Sequence, residues 1–410
     1  MTARKKSLSS YFFPCILIVS ILLGGLTGSY FGSSTPYLKP FGEIFLNLIF
    51  TAIVPLIFFS ISAAIARHDS AGKLGKIIFY MTLVFLFTGV VAAVYSLLIV
   101  KLFPLGQGIS LPLAAMVPAS AKSFSEQISG IFTVSDFSKL LNHEHILALI
   151  VFSILVGIAA SKASEQSRIF IDFLKAGEEI SMRVFHLIMY YAPIGFFAYF
   201  AVLINELGPQ LMQNYMHIAV LYYVCASLYF IVAFTAYAYL AGKTEGTKLF
   251  WRAIFLPTAT ALATCSSAAS IPANLIATKN MRVAPEIYET VVPLGSIIHK
   301  DGSVIGGMFK IAFLFGIFHL DFSGASILLT AFGISLLVGT VMGSIPGGGM
   351  LGELLILSIY GFPPSVLIAI AAISIIIDPL ATMINVTCNS VSCMMVARLV
   401  DGKEWLTHKV

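Results

Sequence analysis

The chain has 410 residues, 58% hydrophobic and only 10% charged, with a formal net charge of +5. A soluble domain carries roughly 25% charged residues, so the composition excludes an ordinary globular protein and points to a polytopic membrane protein with apolar content for about eight spans of ~20 residues. The small positive excess needs no nucleic-acid partner, since basic cytoplasmic loops account for it, and the five cysteines (Cys15, Cys225, Cys265, Cys388, Cys393) lack metal-ligand or disulfide-framework spacing.

The first predicted span is 11–31. Its basic start (Arg4, Lys5, Lys6) looks like a signal peptide, but the apolar run is too long and has no clear small-x-small cleavage site, so a retained helix is expected. Further spans follow at 42–66, with Pro55 in its middle, and at 77–103. A Ser-, Pro- and Ala-rich loop (104–144) leads to a span at 145–161. A charged connector, 162–179, precedes a span at 180–205 carrying Tyr191-Ala192-Pro193-Ile194-Gly195, and another lies at 217–241. Lys and Arg mark alternate connections: Arg67, Lys73 and Lys76, then Lys162, Arg168, Lys175 and Arg183, then Lys243, Lys248 and Arg252. The opposite side has none in 205–216 and only Lys122 and Lys139 in the long loop. This asymmetry predicts cytoplasmic N- and C-termini in a multi-pass protein of the cell's inner membrane.

The second part of the chain breaks the regularity. An apolar stretch at 253–278 is interrupted by Thr264-Cys265-Ser266-Ser267 through Ile271-Pro272, which reads as a re-entrant hairpin. A span at 286–318 is interrupted by His299-Lys300-Asp301-Gly302-Ser303. A second interrupted stretch, 324–358, breaks at Ser344-Ile345-Pro346-Gly347-Gly348-Gly349, and the last span is 364–399. Ser-Ile-Pro occurs at 270–272 and 344–346, each followed about 30 residues later by an intramembrane aspartate, Asp301 or Asp378. That pattern predicts inverted repeats around a midplane site.

In the last span Asp378, Thr382, Asn385 and Asn389 are spaced 4, 3 and 4 apart and share one helical face. A carboxylate at bilayer depth costs roughly 2.5–3.5 kcal/mol and marks a functional site by default. Asp378 suits a ligand ammonium, and Asn385 suits amino and carboxylate groups alike. Pro379 frees a carbonyl about one turn earlier. The alternative for Ser266, Ser267 and Ser270 is that they satisfy backbone freed by Pro272. Asp301, beside Lys300 and His299, reads as a cation site, an internal ion pair with Lys300, or both. His299 is either a packed core residue or a proton carrier. Glu353 has no assigned role.

These motifs together resemble the dicarboxylate/amino acid:cation symporter family, the glutamate-transporter homologues. The likeness is carried by Tyr191-Ala-Pro-Ile-Gly, Ser266-Ser267…Ile271-Pro272, Pro293-Leu294-Gly295…Asp301-Gly302-Ser303, Ile345-Pro346-Gly347-Gly348-Gly349 and Asp378…Thr382-Met383-Ile384-Asn385-Val386-Thr387. It implies an all-α fold of eight transmembrane helices and two re-entrant helical hairpins. It also implies a homotrimer in the lipid bilayer that moves substrate by an elevator mechanism. Residues 1–245 would be mainly scaffold and trimerisation spans, with spans 3 and 6 joining the transport region, and 246–410 the core transport region. By motif position the substrate would meet Ser267, Ser303, Ile345, Gly349, Asp378, Thr382 and Asn385, with Ala381 at the position that sets side-chain preference. Gly295, His299, Asn385 and Asn389 would stand at one sodium site, and Thr88 and Asp301 at another.

The departures from the family pattern carry their own expectations. Ala381 and Cys265 occupy the two positions where members place an arginine for an acidic side chain. Without it a second substrate carboxylate would be buried unpaired. Asn389 stands for a sodium-site aspartate, His299 for an asparagine, and Lys300 for an apolar residue. The expected function is therefore secondary transport of a small amino acid or dicarboxylate, a neutral amino acid being preferred. Coupling is to sodium or to a proton carried at Lys300 or His299, with no other cofactor. An acidic substrate with Lys300 replacing the arginine is the alternative. An intramembrane hydrolase using Ser267, His299 and Asp301 and a channel are the rivals from other classes.

Overall fold

The computed structural model describes residues 2–66, 73–106, 133–142, 145–162, 168–207, 210–341 and 349–407, and every regular element among them is helical. The first half comprises α1 (Thr2–Tyr30), α2 (Thr35–Ala66), α3 (Lys73–Leu102), the short α4 (Phe137–Leu140), α5 (Ile146–Lys162), α6 (Arg168–Leu207) and α7 (Gln210–Ala253). The second half comprises α8 (Phe255–Thr264), α9 (Ile271–Asn280), α10 (Pro285–Ile298), α11 (Asp301–Ile317), α12 (Ala325–Val341), α13 (Gly349–Tyr360) and α14 (Leu367–Val400). Such a set of apolar helices suits a multi-pass membrane protein, because a helix satisfies its own backbone in lipid.

Segments at Thr35–Ala63, Gly75–Leu102, Arg168–Asn205, Leu211–Ala253 and Pro364–Val400 are long and apolar enough to cross a membrane, and Ile16–Tyr30, Ala148–Lys162 and Ala325–Thr340 are shorter apolar helices. The connector expected before residue 180 is instead helix from Arg168 onward, stabilised on its surface by Lys175–Asp172 (3.0 Å) and Arg183–Glu179 (2.6 Å) pairs at helical spacing. α7 runs past the expected end at 241, but its backbone leaves the helical region at Gly242 and Lys243 (φ 53°). The span expected at 286–318 is two helices, because His299 (φ −133°, ψ 114°) and Lys300 (φ −150°, ψ 80°) are extended.

Two packing groups emerge. α1, α2, α5 and α6 pack chiefly on one another, and α3 and α7 pack with α8–α14 around α14. The close approach of α1 to α6 depends on Gly24 and Gly28, one turn apart. A Cβ at either would lie 2.3 Å from a carbonyl oxygen of α6, at Phe197 or Ala201. α14 is the most enclosed of the long helices, 72% of its apolar window being buried.

Three contacts gather the basic connections at one end of the molecule. Lys76 donates to the Val400 carbonyl (2.8 Å), Trp405 Nε1 donates to the Ala241 carbonyl (3.0 Å), and Arg282 approaches Glu245 (3.9 Å). Lys101 bonds the Phe322 carbonyl (2.9 Å), tying the end of α3 to the turn between α11 and α12.

Candidate substrate and cation site

α14 carries the polar face, and Pro379 lies within it without ending the helix. Asp378 is exposed, whereas Ile377, Leu380 and Ala381 beside it are buried, as are Thr382, Asn385 and Asn389 on its own face. Thr382 Oγ1 donates to Asp378 Oδ1 at 3.1 Å. Asn385 closes onto the first turn of α11: its Oδ1 accepts from the Ser303 backbone N–H and its Nδ2 donates to the Ser303 hydroxyl, both at 3.1 Å. The two helices meet here because residue 302 has no side chain. A Cβ on Gly302 would lie 2.4 Å from the Ala381 carbonyl oxygen. Thus Ala381 marks where α14 crosses α11.

The extended backbone at 299–300 aims two side chains differently. His299 stacks flat on Phe85 of α3, with ring centroids 4.0 Å apart. Its Nε2 lies 2.7 Å from Thr88 Oγ1 and 3.2 Å from Asp301 Oδ1, and its Nδ1 lies 3.0 Å from Asn389 Oδ1. Asp301 is fully buried and its Oδ2 accepts from Tyr229 (2.9 Å) and Cys388 (3.0 Å). Gly295 sits against Asn389, whose Oδ1 a Cβ there would meet at 2.3 Å. Thr88, Gly295, His299, Asp301 and Asn389, the residues expected from sequence at the coupling position, therefore converge, and Asn385 lies one turn from Asn389 on α14. Lys300 does not pair with Asp301, whose partners are His299, Tyr229 and Cys388. Lys300 is buried and interacts at longer range with Asp378.

The first broken stretch lies on the same face. Cys265 ends α8 in the left-handed region (φ 47°). Ser266 Oγ accepts from the Ala269 N–H (3.2 Å) and Ser270 Oγ donates to the Ser266 carbonyl (2.9 Å). These two hydroxyls satisfy local backbone, which is the plainer of the two readings made from sequence. Ser267 is buried at the same break. Asn274 fixes α9 to α14, donating to the Val386 carbonyl (2.8 Å) and accepting from Ser390. In the second broken stretch Gly349 is half-buried at the start of α13, while Ile345 lies outside the described residues. The hydrolase arrangement is not assembled: the ring nitrogens of His299 face Thr88, Asp301 and Asn389 rather than Ser267.

Sequence reasoning missed Lys310, Ser374, Tyr229, Asn274 and Ser390, and left Glu353 and Cys388 without partners. Lys310 Nζ lies 2.9 Å from Glu353 Oε1, and both are buried. A lysine and a glutamate inside apolar runs were signals in their own right. The tyrosine and asparagine contacts join residues far apart in the chain and had no local signature.

A family model for the sodium:dicarboxylate symporter family matches residues 13–399. A proton/sodium-glutamate symport protein of Bacillus subtilis (strain 168) is 24% identical over 397 residues, covering 93% of this chain and 91% of the relative. A C4-dicarboxylate transport protein of Rhizobium leguminosarum is 26% identical over 411 residues, covering 96% and 90%. Another, from Pseudomonas syringae pv. syringae (strain B728a), is 25% identical over 316 residues, covering 74% and 69%.

Proposed function

We propose, for a chain that belongs to the sodium:dicarboxylate symporter family, that it is a cation-coupled symporter whose preferred substrate is a small neutral amino acid. The observation that carries the preference is the charge inventory around α14. Three carboxylates (Asp301, Glu353, Asp378) meet two ammonium groups (Lys300, Lys310). Lys310 and Glu353 cancel by contact. Lys300 and Asp378 act on one another without forming one of the close ion pairs. A zwitterion adds no net charge and sets its ammonium against Asp378 and its carboxylate toward Lys300. A dianion brings two charges to one free cation, and the second is left unpaired.

Asp301 then needs one further cation, and we place the coupling ion there. Imidazole nitrogen and thiol sulfur now stand among the groups around it, whereas a hard cation such as sodium is served by oxygen ligands. His299 stands between them, with Thr88 and Asp301 near its Nε2 and Asn389 near its Nδ1. The ligand set therefore favours a proton over sodium as the coupled ion.

A second reading has support of its own. Relatives are named as glutamate and C4-dicarboxylate transporters, and Lys300 would then hold the second carboxylate in place of the missing arginine. The experiment that separates the two readings is reconstitution into liposomes, followed by uptake of labelled neutral amino acids, glutamate and succinate under separate sodium and proton gradients. Proton-driven uptake of a neutral amino acid is expected. Uptake confined to the dianions would establish the second reading.

In the proposed cycle α1, α2, α5 and α6 serve as a membrane scaffold in a homotrimer. The remainder, with α3 and α7, carries the site across as an elevator. Their separate packing groups support that division. The basic connections at one end of the molecule support cytoplasmic termini in the cell membrane.

A further inference from the structure

A second charged cluster lies beside the proposed site and touches three elements at once. Lys310 on α11 donates from Nζ to Glu353 Oε1 on α13 at 2.9 Å, with side chains 3% and 0% exposed. Lys310 also donates to the Ser374 hydroxyl on α14, and that hydroxyl donates to the same Glu353 oxygen, closing a three-membered ring of hydrogen bonds. Glu353 Oε2 is buried without a hydrogen-bond partner among the described residues.

The register is informative. Glu353 is one turn past Gly349 on α13, and Ser374 is one turn before Asp378 on α14. Both charges of the pair act on Asp378. A buried ion pair is poor evidence of added stability, because well-packed apolar residues of similar volume do as well or better. The role best attested for such a pair is registry, and here its three members come from α11, α13 and α14. Lys310 is buried and spent on Glu353 and Ser374, so it is not a free cation for a substrate carboxylate.

We propose that Lys310, Glu353 and Ser374 form a positioning unit that sets the register of α13 against α11 and α14, and through it the placement of Gly349 relative to Asp378. The inference rests on the reading that Gly349 and Asp378 border the substrate. Removing one partner strands a buried charge, whereas removing both does not.

The test uses the full-length purified protein and the variants Lys310→Met, Glu353→Leu and the two combined. Hydrogen exchange across residues 349–360 needs no substrate. Each single variant is expected to speed exchange there by about tenfold or more, and the double variant to return it to within about threefold of the parent. In liposomes, uptake of labelled L-serine should show a raised KM in the single variants that recovers in the double. Unchanged exchange in both single variants, or a double variant worse than either, overturns the proposal. Failure of the parent to take up L-serine counts against the substrate reading alone, and the exchange result still decides the registry role.

Discussion

Asp378 is an exposed carboxylate on a helix whose neighbouring side chains are buried, and its hydrogen bond from Thr382 leaves most of its acceptor capacity free. Replacing it by Asn keeps the shape and removes the charge. Loss of a charge-assisted bond of about 1.5–3 kcal/mol should weaken binding of an ammonium-bearing substrate by roughly 10- to 150-fold, measured as KM for amino-acid uptake. Unaltered KM would show that the ammonium lies elsewhere. His299 and Asn389 stand where family members are expected to carry asparagine and aspartate, so His299→Asn combined with Asn389→Asp replaces the imidazole nitrogen by oxygen donors there and leaves Cys388 as the one sulfur. This double variant should make uptake sodium-dependent when sodium is exchanged for choline, and indifference to the exchange would remove these residues from the coupling site. The polar face of α14 was legible from its 4, 3, 4 spacing. The partners of that face were not, because Ser303 lies 82 residues from Asn385 and His299 lies 90 residues from Asn389.

At the scale of elements, the decisive feature is the break at residues 299–300. The non-helical backbone falls at His299 and Lys300, and Gly302 lets α11 reach the backbone of α14. Gly302→Ala should therefore force the helices apart, at a cost of about 1–3 kcal/mol typical of overpacking, read as a lower midpoint of thermal unfolding in detergent. Uptake should fall with it, since Ser303 and Asn385 separate. A wild-type midpoint would mean that the contact relaxes freely. Asn274→Ala removes the bond from α9 to the Val386 carbonyl. The expected loss is about 1–3 kcal/mol, with faster hydrogen exchange over residues 271–280, and unchanged exchange would deny Asn274 its anchoring role.

For the whole molecule, the separation into an α1, α2, α5, α6 group and the rest gives the proposed elevator its two parts. The proposed trimer predicts a detergent-corrected mass of about three times the 44.2 kDa chain by light scattering coupled to size exclusion. A monomer retaining uptake would remove the scaffold role from the first group. Tethering the groups should block transport without blocking binding. Tyr191 on α6 against Phe41 on α2 is internal to the first group, so a cross-link there should leave uptake intact and serves as the control.

The sequence by itself determined that this is a membrane transporter of one family. Apolar run length, charge asymmetry and broken stretches are local properties, and the motifs that bear the resemblance are each a few residues long. It also singled out most of the polar residues that the structure brings together, because a polar residue at bilayer depth is conspicuous wherever it falls. Only the tertiary structure decided which charges meet. Asp301 could have taken Lys300, its neighbour in the chain, but extended backbone sends the two apart and gives Asp301 to His299, Tyr229 and Cys388. Lys310 finds Glu353 from another element 43 residues on. Electrostatic pairing depends on distance in space and on the desolvation of both partners, and neither is written in the order of residues.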